Sequence, residues 1–517
     1  MATEMSSLST QLLVIGGGAT GLGIAWDASL RGIKTVLIEK GDLGEGTSGR
    51  YHGLLHSGGR YVLNDPVSAV DCATESQILR SIAAPAIEDT GGYFVSTPAD
   101  PHEFPDVWHQ ACQQTGVASE EIPLSQLRQH EPLLNPRISR AFKVLDSSLD
   151  SFDLTHLLAA GIQQSGGKLL LRHVVSGLQI RKDHIQAVKI KNLRTGELSI
   201  IRADFVVNAA GPWAGELAQL AKIRLPIALG KGTMLALSSR VINSVVNRCK
   251  PPADGDIIVP VGTVCVVGTT DVSVVHPDDL RIDPWEIDLL LSEADILIPG
   301  IQQRRALRAW AGVRPLYIPD EDEGVNNREI TRAHIVLDHR DRDSIDNFVS
   351  VFGGKLTTFR LMAEEAVDLI AHRLGNSNLC STKTTPLPAK HVSGFRLVKR
   401  LDHLSTYSPT DHAMVVCECE LITRQQLRQT LFSGESPTLD DIRRDLRLGM
   451  GPCQAAFCGY RTAGIAAEGK IEHPYFLPSF TEERWKGIRS LAWGASLRQM
   501  ELMRRINSEL LQLSQGE

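Results

Sequence analysis

Several absences narrow this chain first. Its 517 residues contain no uninterrupted apolar stretch near the roughly 18 residues that a spanning helix needs. Membrane contact, if any, is therefore expected to be peripheral or through a partner. The opening MATEMSSLSTQ has neither the basic nor the apolar segment of a secretory signal. An excess of one charge is missing too: 54 Lys and Arg against 60 Asp and Glu leave −6, which argues against nucleic acid as a bulk partner. No internal repeat is visible. A disulfide framework is not expected, because Cys72, Cys112, Cys249, Cys265 and Cys380 are scattered without ligand spacing and read as small buried hydrophobes. With 42% hydrophobic and 22% charged residues the chain is ordinary globular material. It is too long for one core, so two or three domains are expected.

What is present begins at residue 11. QLLVIG reads as a buried strand, GLGIAWDASLRG as a helix and KTVLIEK as the next strand. Between strand and helix stand Gly16, Gly18 and Gly21 in G-x-G-x-x-G spacing. The first glycine serves the tight turn, the second lets a pyrophosphate approach the backbone, and the third allows close helix–strand packing. The helix N-terminus then turns free N–H groups toward the phosphates. Glu39, ending the next strand, is placed to accept from ribose hydroxyls. An ordinary tight turn would explain the glycines alone, but not strand, helix and acid together.

Farther along, LTHLLAAGIQQSGG, KLLL, GLQIRK, IQAVKIKN and FVVNAAG continue a strand–helix–strand pattern, with RTGE (194–197) as a turn. GGYFVS, GTMLAL, DIIVP and TVCVVGTTD are short and β-rich, and predict a substrate-covering sheet interleaved with the cofactor domain. DPWEIDLLLSEADILIPG predicts a helix with an Asp start and a Pro-Gly end. FVSVFGGK and a helix from about Thr357 to Gly375 close the cofactor fold. VVNAAGPWA (206–214) ends an apolar strand in small residues where a flavoprotein chain rejoins its cofactor, a return that a plain nicotinamide dehydrogenase does not need. GTSGRYHGLLHSGGRY (46–61) adds Thr47 and Ser48, hydroxyls suited to phosphate or flavin. FAD is therefore preferred over NAD.

Near the far end, Cys417 and Cys419 form C-x-C, and Cys453 and Cys458 form C-x4-C thirty-three residues later. Four thiolates can hold zinc or an iron–sulfur cluster. A zinc ribbon uses C-x2-C pairs, which this spacing fits poorly. A 2Fe–2S cluster is favoured, with zinc as the alternative occupant. ITRQQLRQTL, TLDDIRRDLRLG and CQAAFCGYRTAGIAAE read as short helices around the thiols. In the tail, Leu497, Met500, Met503, Ile506, Leu510 and Leu513 make one apolar stripe, suited to docking on the chain's own body or, failing that, to a partner subunit.

GTSGRYHGLLHSGGRY, VVNAAGPWAG, VGTTD, WAGVRPL and VFGGKLTTFRLMAEEA, in this order, resemble FAD-dependent glycerol-3-phosphate dehydrogenases from residue 11 to about 375. The cysteine region is similar to the bacterioferritin-associated-ferredoxin-like extension carried by a bacterial anaerobic branch of that family. The resemblance implies an α/β fold: an FAD-binding Rossmann-like domain interleaved with a β-rich substrate domain over 1–383, a linker at 384–411, a small helical four-cysteine domain at 412–466 and a helical tail at 467–517. It places Gly16, Gly18, Gly21, Glu39, Thr47, Ser48, Gly211, Gly353, Gly354, Leu356 and Thr357 on FAD. It places Arg60, Arg314 and Lys355 at the substrate phosphate and reacting centre, with His56, and also His52, in the segment where a base is needed. Surface salt bridges are the plain alternative for the arginines, and structural roles for the histidines. One departure stands out: HSGGRY (56–61) occupies the place where single-subunit relatives read HGGLRY.

The activity so implied is oxidation of sn-glycerol 3-phosphate to dihydroxyacetone phosphate. Electrons would pass from FAD through the 2Fe–2S cluster to other subunits of a membrane-bound complex and finally a quinone, at the cytoplasmic face of the membrane. The alternatives are a flavin dehydrogenase of another 2-hydroxy acid or of an amine, and a non-enzymatic electron-transfer or iron-handling module.

Overall fold

The computed structural model describes residues 6–318, 333–388, 397–406, 414–432, 437–468, 476–506 and 509. The strand Ser6–Ile15 sits in the middle of an eight-stranded sheet. It pairs in parallel with Thr35–Ile38 on one side and Leu198–Asn208 on the other. Lys168–Leu170 extends the first side in parallel, and Phe348–Gly353 joins Leu198–Asn208, also in parallel. Its apolar run is continuous because both faces are covered. Leu12 and Val14 enter one hydrophobic cluster, Leu13 and Ile15 the opposite one. The helix Ala19–Leu30 covers the first face between Ser151–Gln164 and Phe359–Leu374. Glycines make this packing close: a Cβ on Gly23 would lie 2.8 Å from the Phe359 ring, and one on Gly161 2.9 Å from the Trp26 indole nitrogen.

A second, nine-stranded sheet holds Gly92–Ser96, Ile257–Val261 and Val264–Gly268, with the long antiparallel pair Ile227–Leu237 and Ala306–Tyr317 at one end. The helix Pro284–Leu297 packs on it, opened by Asp283 and Glu286 in a reciprocal capping box. The mixed α/β architecture is thus the one the sequence predicts, as are the helix at 284–297, the turn within 194–197 and the helix Phe359–Leu374 ending at Gly375.

Beyond residue 414 a separate small core forms from Val416, Ile422, Leu427, Leu431, Leu439, Ile442, Leu446 and Leu448. Its helices Arg424–Leu431 and Leu439–Leu446 start at capping boxes built on Thr423 and Thr438. This unit is bound to the larger body by ion pairs, two of them through buried arginines. Arg444 Nε meets Asp42 at 2.7 Å, Arg447 Nη1 meets Asp150 at 2.5 Å, and Arg172 pairs with Asp441.

Two expectations need correction. The stretch 384–411 is not linker throughout, since Leu397–Ser405 is a helix. Periodicity failed there because its buried contact is an arginine, Arg400, which donates to the Glu420 carboxylate and carbonyl at 3.2 and 3.0 Å. The tail stripe is not sealed against the body: Leu497 is exposed, and Met500 and Ile506 are half-buried. The body contact comes instead from the helix Phe476–Arg489, where a Cβ on Gly487 would lie 3.1 Å from the Ala309 carbonyl. Leu510, Leu513 and the Met503 side chain lie outside the described residues. Among the described residues, no helix is long and apolar enough to cross a membrane.

Candidate functional site

A cavity of about 1540 Å³ runs between the two sheets. At one end lies the glycine turn. Gly16 has φ +121°, and a Cβ on it would fall 2.3 Å from the Ala209 carbonyl, so strand end and return strand touch there. Gly21 does not line the cavity; a Cβ on it would meet the Gly16 carbonyl at 2.0 Å, which makes it the packing glycine of the motif. The helix behind has no acidic residue in its first turn. Its first N–H, on Ala19, donates to Ser48 Oγ at 2.9 Å.

Glu39 lines the same end. It accepts from the N–H groups of Gly17 (2.6 Å) and Gly41 (2.7 Å). Burial raises its pKa, and those two N–H groups work in the opposite direction. Glu39 therefore shapes the turn as well as facing the cavity. Thr47 donates to the Val313 carbonyl at 2.5 Å, tying the 46–49 turn to the second sheet. Gly211, Gly353 and Gly354 all have positive φ and line the wall with Leu356 and Thr357. Thr357 Oγ1 accepts from the His56 backbone N–H at 3.3 Å.

Cations gather toward the second sheet. Arg60 is held by Asp256 at 2.7 Å, Arg314 by Asp271 at 3.2 Å, and Lys355 Nζ lies 4.4 Å from the centre of the Tyr61 ring. His52 and His56 stand among them, ring centres 5.9 Å apart. Burial, then Arg60 and Arg314, hold His52 down to about 3. Burial, His52, Arg60 and Lys355 hold His56 well below its ordinary value. Both imidazoles are therefore neutral. Nδ1 of His52 accepts the Leu54 N–H at 3.2 Å, which puts its single proton on Nε2.

All the residues singled out from sequence for flavin and substrate line this one cavity, Gly21 excepted. Sequence reasoning missed Arg50, Arg172 and Trp213, which also line it. Trp213 Nε1 is buried with no hydrogen-bond partner among the described residues, and Lys40 Nζ lies 4.0 Å from the centre of its ring. VVNAAGPWAG flagged that segment, but an indole N–H reads as ordinary packing until its neighbours are known.

The four clustered cysteines lie together as two pairs. Cys417 and Cys458 are buried and share a hydrogen bond, which lowers Cys417 to about 7 and raises Cys458. Cys419 and Cys453, half-buried, form the other pair, with Cys419 raised to about 11, chiefly by burial. A Cβ on Gly451 would meet Cys419 Cβ at 2.3 Å, so the two cysteine loops approach closely only with glycine there. Among the described residues, no three His, Cys, Asp or Glu side chains converge as a metal site.

A mixed sheet with a parallel centre, a glycine turn at its strand ends and a large cavity beside a second sheet is the architecture of a flavin-dependent oxidoreductase. The chain belongs to the FAD dependent oxidoreductase family, which it matches over residues 11–369, and within it to the family of anaerobic glycerol-3-phosphate dehydrogenase A subunits. It is 37% identical to the A subunit of the anaerobic glycerol-3-phosphate dehydrogenase of Escherichia coli (strain K12), over 96% of both chains. It is equally 37% identical to the A1 subunit of the Haloferax volcanii enzyme of the same name, over 96% of this chain and 89% of that one. Among solved structures, the glycerol-3-phosphate dehydrogenase of Bacillus halodurans complexed with FAD shares the fold, with a TM-score of 0.65 at 23% identity over 99% of this chain and 98% of that one.

Proposed function

We propose that this chain oxidises sn-glycerol 3-phosphate to dihydroxyacetone phosphate and sends the electrons through a 2Fe–2S centre to partner subunits and a quinone, at the cytoplasmic face of the membrane. The observation that carries the reading is the meeting of Arg60, Arg314, Lys355 and two neutral imidazoles in a cavity that begins at the glycine turn. FAD, when bound, supplies the hydride acceptor. The glycine turn, the uncharged helix start and Glu39 fit its pyrophosphate and ribose.

The side chains divide the remaining work. A phosphate dianion leaving water needs several charge-assisted bonds, which Arg60, Arg314 and Lys355 are placed to supply. His52 Nε2–H can donate to the substrate oxygen, and His56 stands where the C2 hydroxyl proton would be taken up, its basicity weakened by burial and the neighbouring cations. The two acids behind the arginines, Asp256 and Asp271, fix the guanidinium planes rather than meet the substrate. A hydroxy acid or an amine would not need so much positive charge, and the relatives' names favour the phosphate.

Cys417, Cys419, Cys453 and Cys458 offer the thiolate set of a 2Fe–2S cluster, which when bound supplies a one-electron relay. Support comes from their approach as two pairs, with Cys417, Cys419 and Cys458 in one small core, from the C-x-C and C-x4-C spacing, and from the subunit names of the relatives. Zinc would make the same unit a structural clip.

Two measurements test this. Anaerobic addition of glycerol 3-phosphate should bleach the flavin band while glycerol should not; equal bleaching by both would remove phosphate recognition from the reading. Anaerobically prepared protein should hold about two irons and two sulfides per chain, and one zinc without iron would remove the relay. A further expectation concerns the ribose. Glu39→Ala should weaken FAD retention by about 1.5–3 kcal/mol, the scale of a hydrogen bond to a charged group. The ratio of flavin to protein after extended dialysis checks this, and undiminished occupancy would show that Glu39 only shapes the turn.

A further inference from the structure

We propose that Gly232, Thr270 and Glu286 form a cradle that sets the direction of the Arg314 guanidinium, and so act as positioning residues for the substrate's phosphate. This rests on the reading that Arg314 binds that phosphate.

The strands Ile227–Leu237 and Ala306–Tyr317 run antiparallel with Gly230 opposite Arg314 and Gly232 opposite Gly312. The Arg314 side chain crosses diagonally onto the neighbouring strand, over Gly232. A Cβ there would lie 2.2 Å from Nη2 of Arg314. Glycine at 232 thus provides the space in which the guanidinium lies. Any other residue at this point would displace the far end of the arginine, which moves more readily than the two paired backbones.

Three consecutive residues then grip one guanidinium. Nη2 donates to the Thr270 carbonyl at 2.8 Å and to Thr269 Oγ1 at 3.2 Å, and Nη1 donates to Asp271 at 3.2 Å. The grip is only as well placed as Thr270, which is fully buried. Its hydroxyl donates to Glu286 Oε1 at 2.7 Å and accepts the Thr233 N–H at 2.9 Å.

Glu286 is the fixed point. It is fully buried and takes four donors: the hydroxyls of Thr233 and Thr270 on Oε1, and Lys231 Nζ and the Asp283 N–H on Oε2. Burial works against its charge, yet the bonds from Thr233, Lys231, Asp283 and Thr270 outweigh it and hold the carboxyl below its usual range. One carboxylate therefore ties the start of the helix Pro284–Leu297, the strand Ile227–Leu237 and the 269–271 turn into a single frame behind Arg314. A frame of this kind matters because a small misplacement of a binding group already costs a large factor in rate.

The test is Gly232→Ala in the flavin-loaded protein. KM for glycerol 3-phosphate and the inhibition constant of inorganic phosphate should rise together by about tenfold, with kcat within about twofold and flavin content and Tm unchanged. Unchanged KM and phosphate inhibition would overturn the cradle. In an Arg314→Lys background the same glycine substitution should cost little, because the planar nitrogen it strikes is gone; a full additional loss would also overturn it. If Gly232→Ala loses flavin, Thr270→Val is read in the same way. Arg314→Ala separates the two ideas. If it leaves phosphate inhibition intact, the parent reading fails; if it abolishes inhibition while Gly232→Ala does not weaken it, only the cradle fails.

Discussion

Arg314→Ala is expected to lower kcat/KM for glycerol 3-phosphate by about 30- to 1000-fold, equivalent to about 2–4 kcal/mol of transition-state stabilisation. The size follows from where the guanidinium stands. Its partner Asp271 is almost wholly buried, while the Arg314 side chain itself, 28% exposed, opens onto the cavity where the phosphate would enter. A dianion drawn into this corner exchanges hydration for charge-assisted bonds, and losing one of three cations leaves part of that exchange uncompensated. FAD should stay bound, because Arg314 belongs to the second sheet and the glycine turn to the first. Steady-state turnover with glycerol 3-phosphate and with glycerol provides the check. Glycerol has no phosphate to lose, so its already poor turnover should fall far less. A loss of the same factor for both substrates would mean that Arg314 serves the fold or the flavin rather than the phosphate.

The parts of this site that could be read from sequence are the local ones. Gly16, Gly18, Gly21 and Glu39 lie within a strand–turn–helix–strand unit whose spacing is fixed by backbone geometry. Asp283 marks a helix start because a capping carboxylate reaches only as far as the first turn. The partners of the cations proposed to bind substrate were not legible. Arg60 finds Asp256 196 positions away, and nothing local in GGRY or GDII reports that meeting. Glu286 illustrates the gap well. Sequence marks only the Asp start of its helix, and the packed structure brings Glu286 into the cap and adds Lys231, Thr233 and Thr270 to the same carboxylate. The helix Leu397–Ser405 escaped notice for a related reason, because an amphipathic pattern searches for buried apolar side chains and this helix buries Arg400.

The docking of the cysteine unit was equally silent, and it has the second large consequence. Arg447 is 5% exposed and stands between carboxylates of both units. Nη1 meets Asp150, which also caps the helix Ser151–Gln164 through the N–H groups of Phe152 and Asp153, while Nε meets Glu420 at 3.1 Å. Arg447→Ala would take that cation from Asp150, buried at 4% exposure, while Glu420 keeps Arg400 at 3.2 Å. Breaking a buried pair by deleting one partner costs about 3–5 kcal/mol, because the charge left behind has lost its compensation. That is a large share of the roughly 5–15 kcal/mol that typically holds a domain together. The small unit has its own hydrophobic core, so it should come away from the body rather than unfold with it. The expected result is a split calorimetric transition. Substrate should still reduce the flavin, an artificial dye accepting from the flavin should still turn over, and delivery to the native partner should fall sharply. One unchanged transition with full delivery would show that Arg444 and Arg172 hold the unit without Arg447. Intact delivery from a separated unit would exclude the docked geometry as the route by which electrons leave.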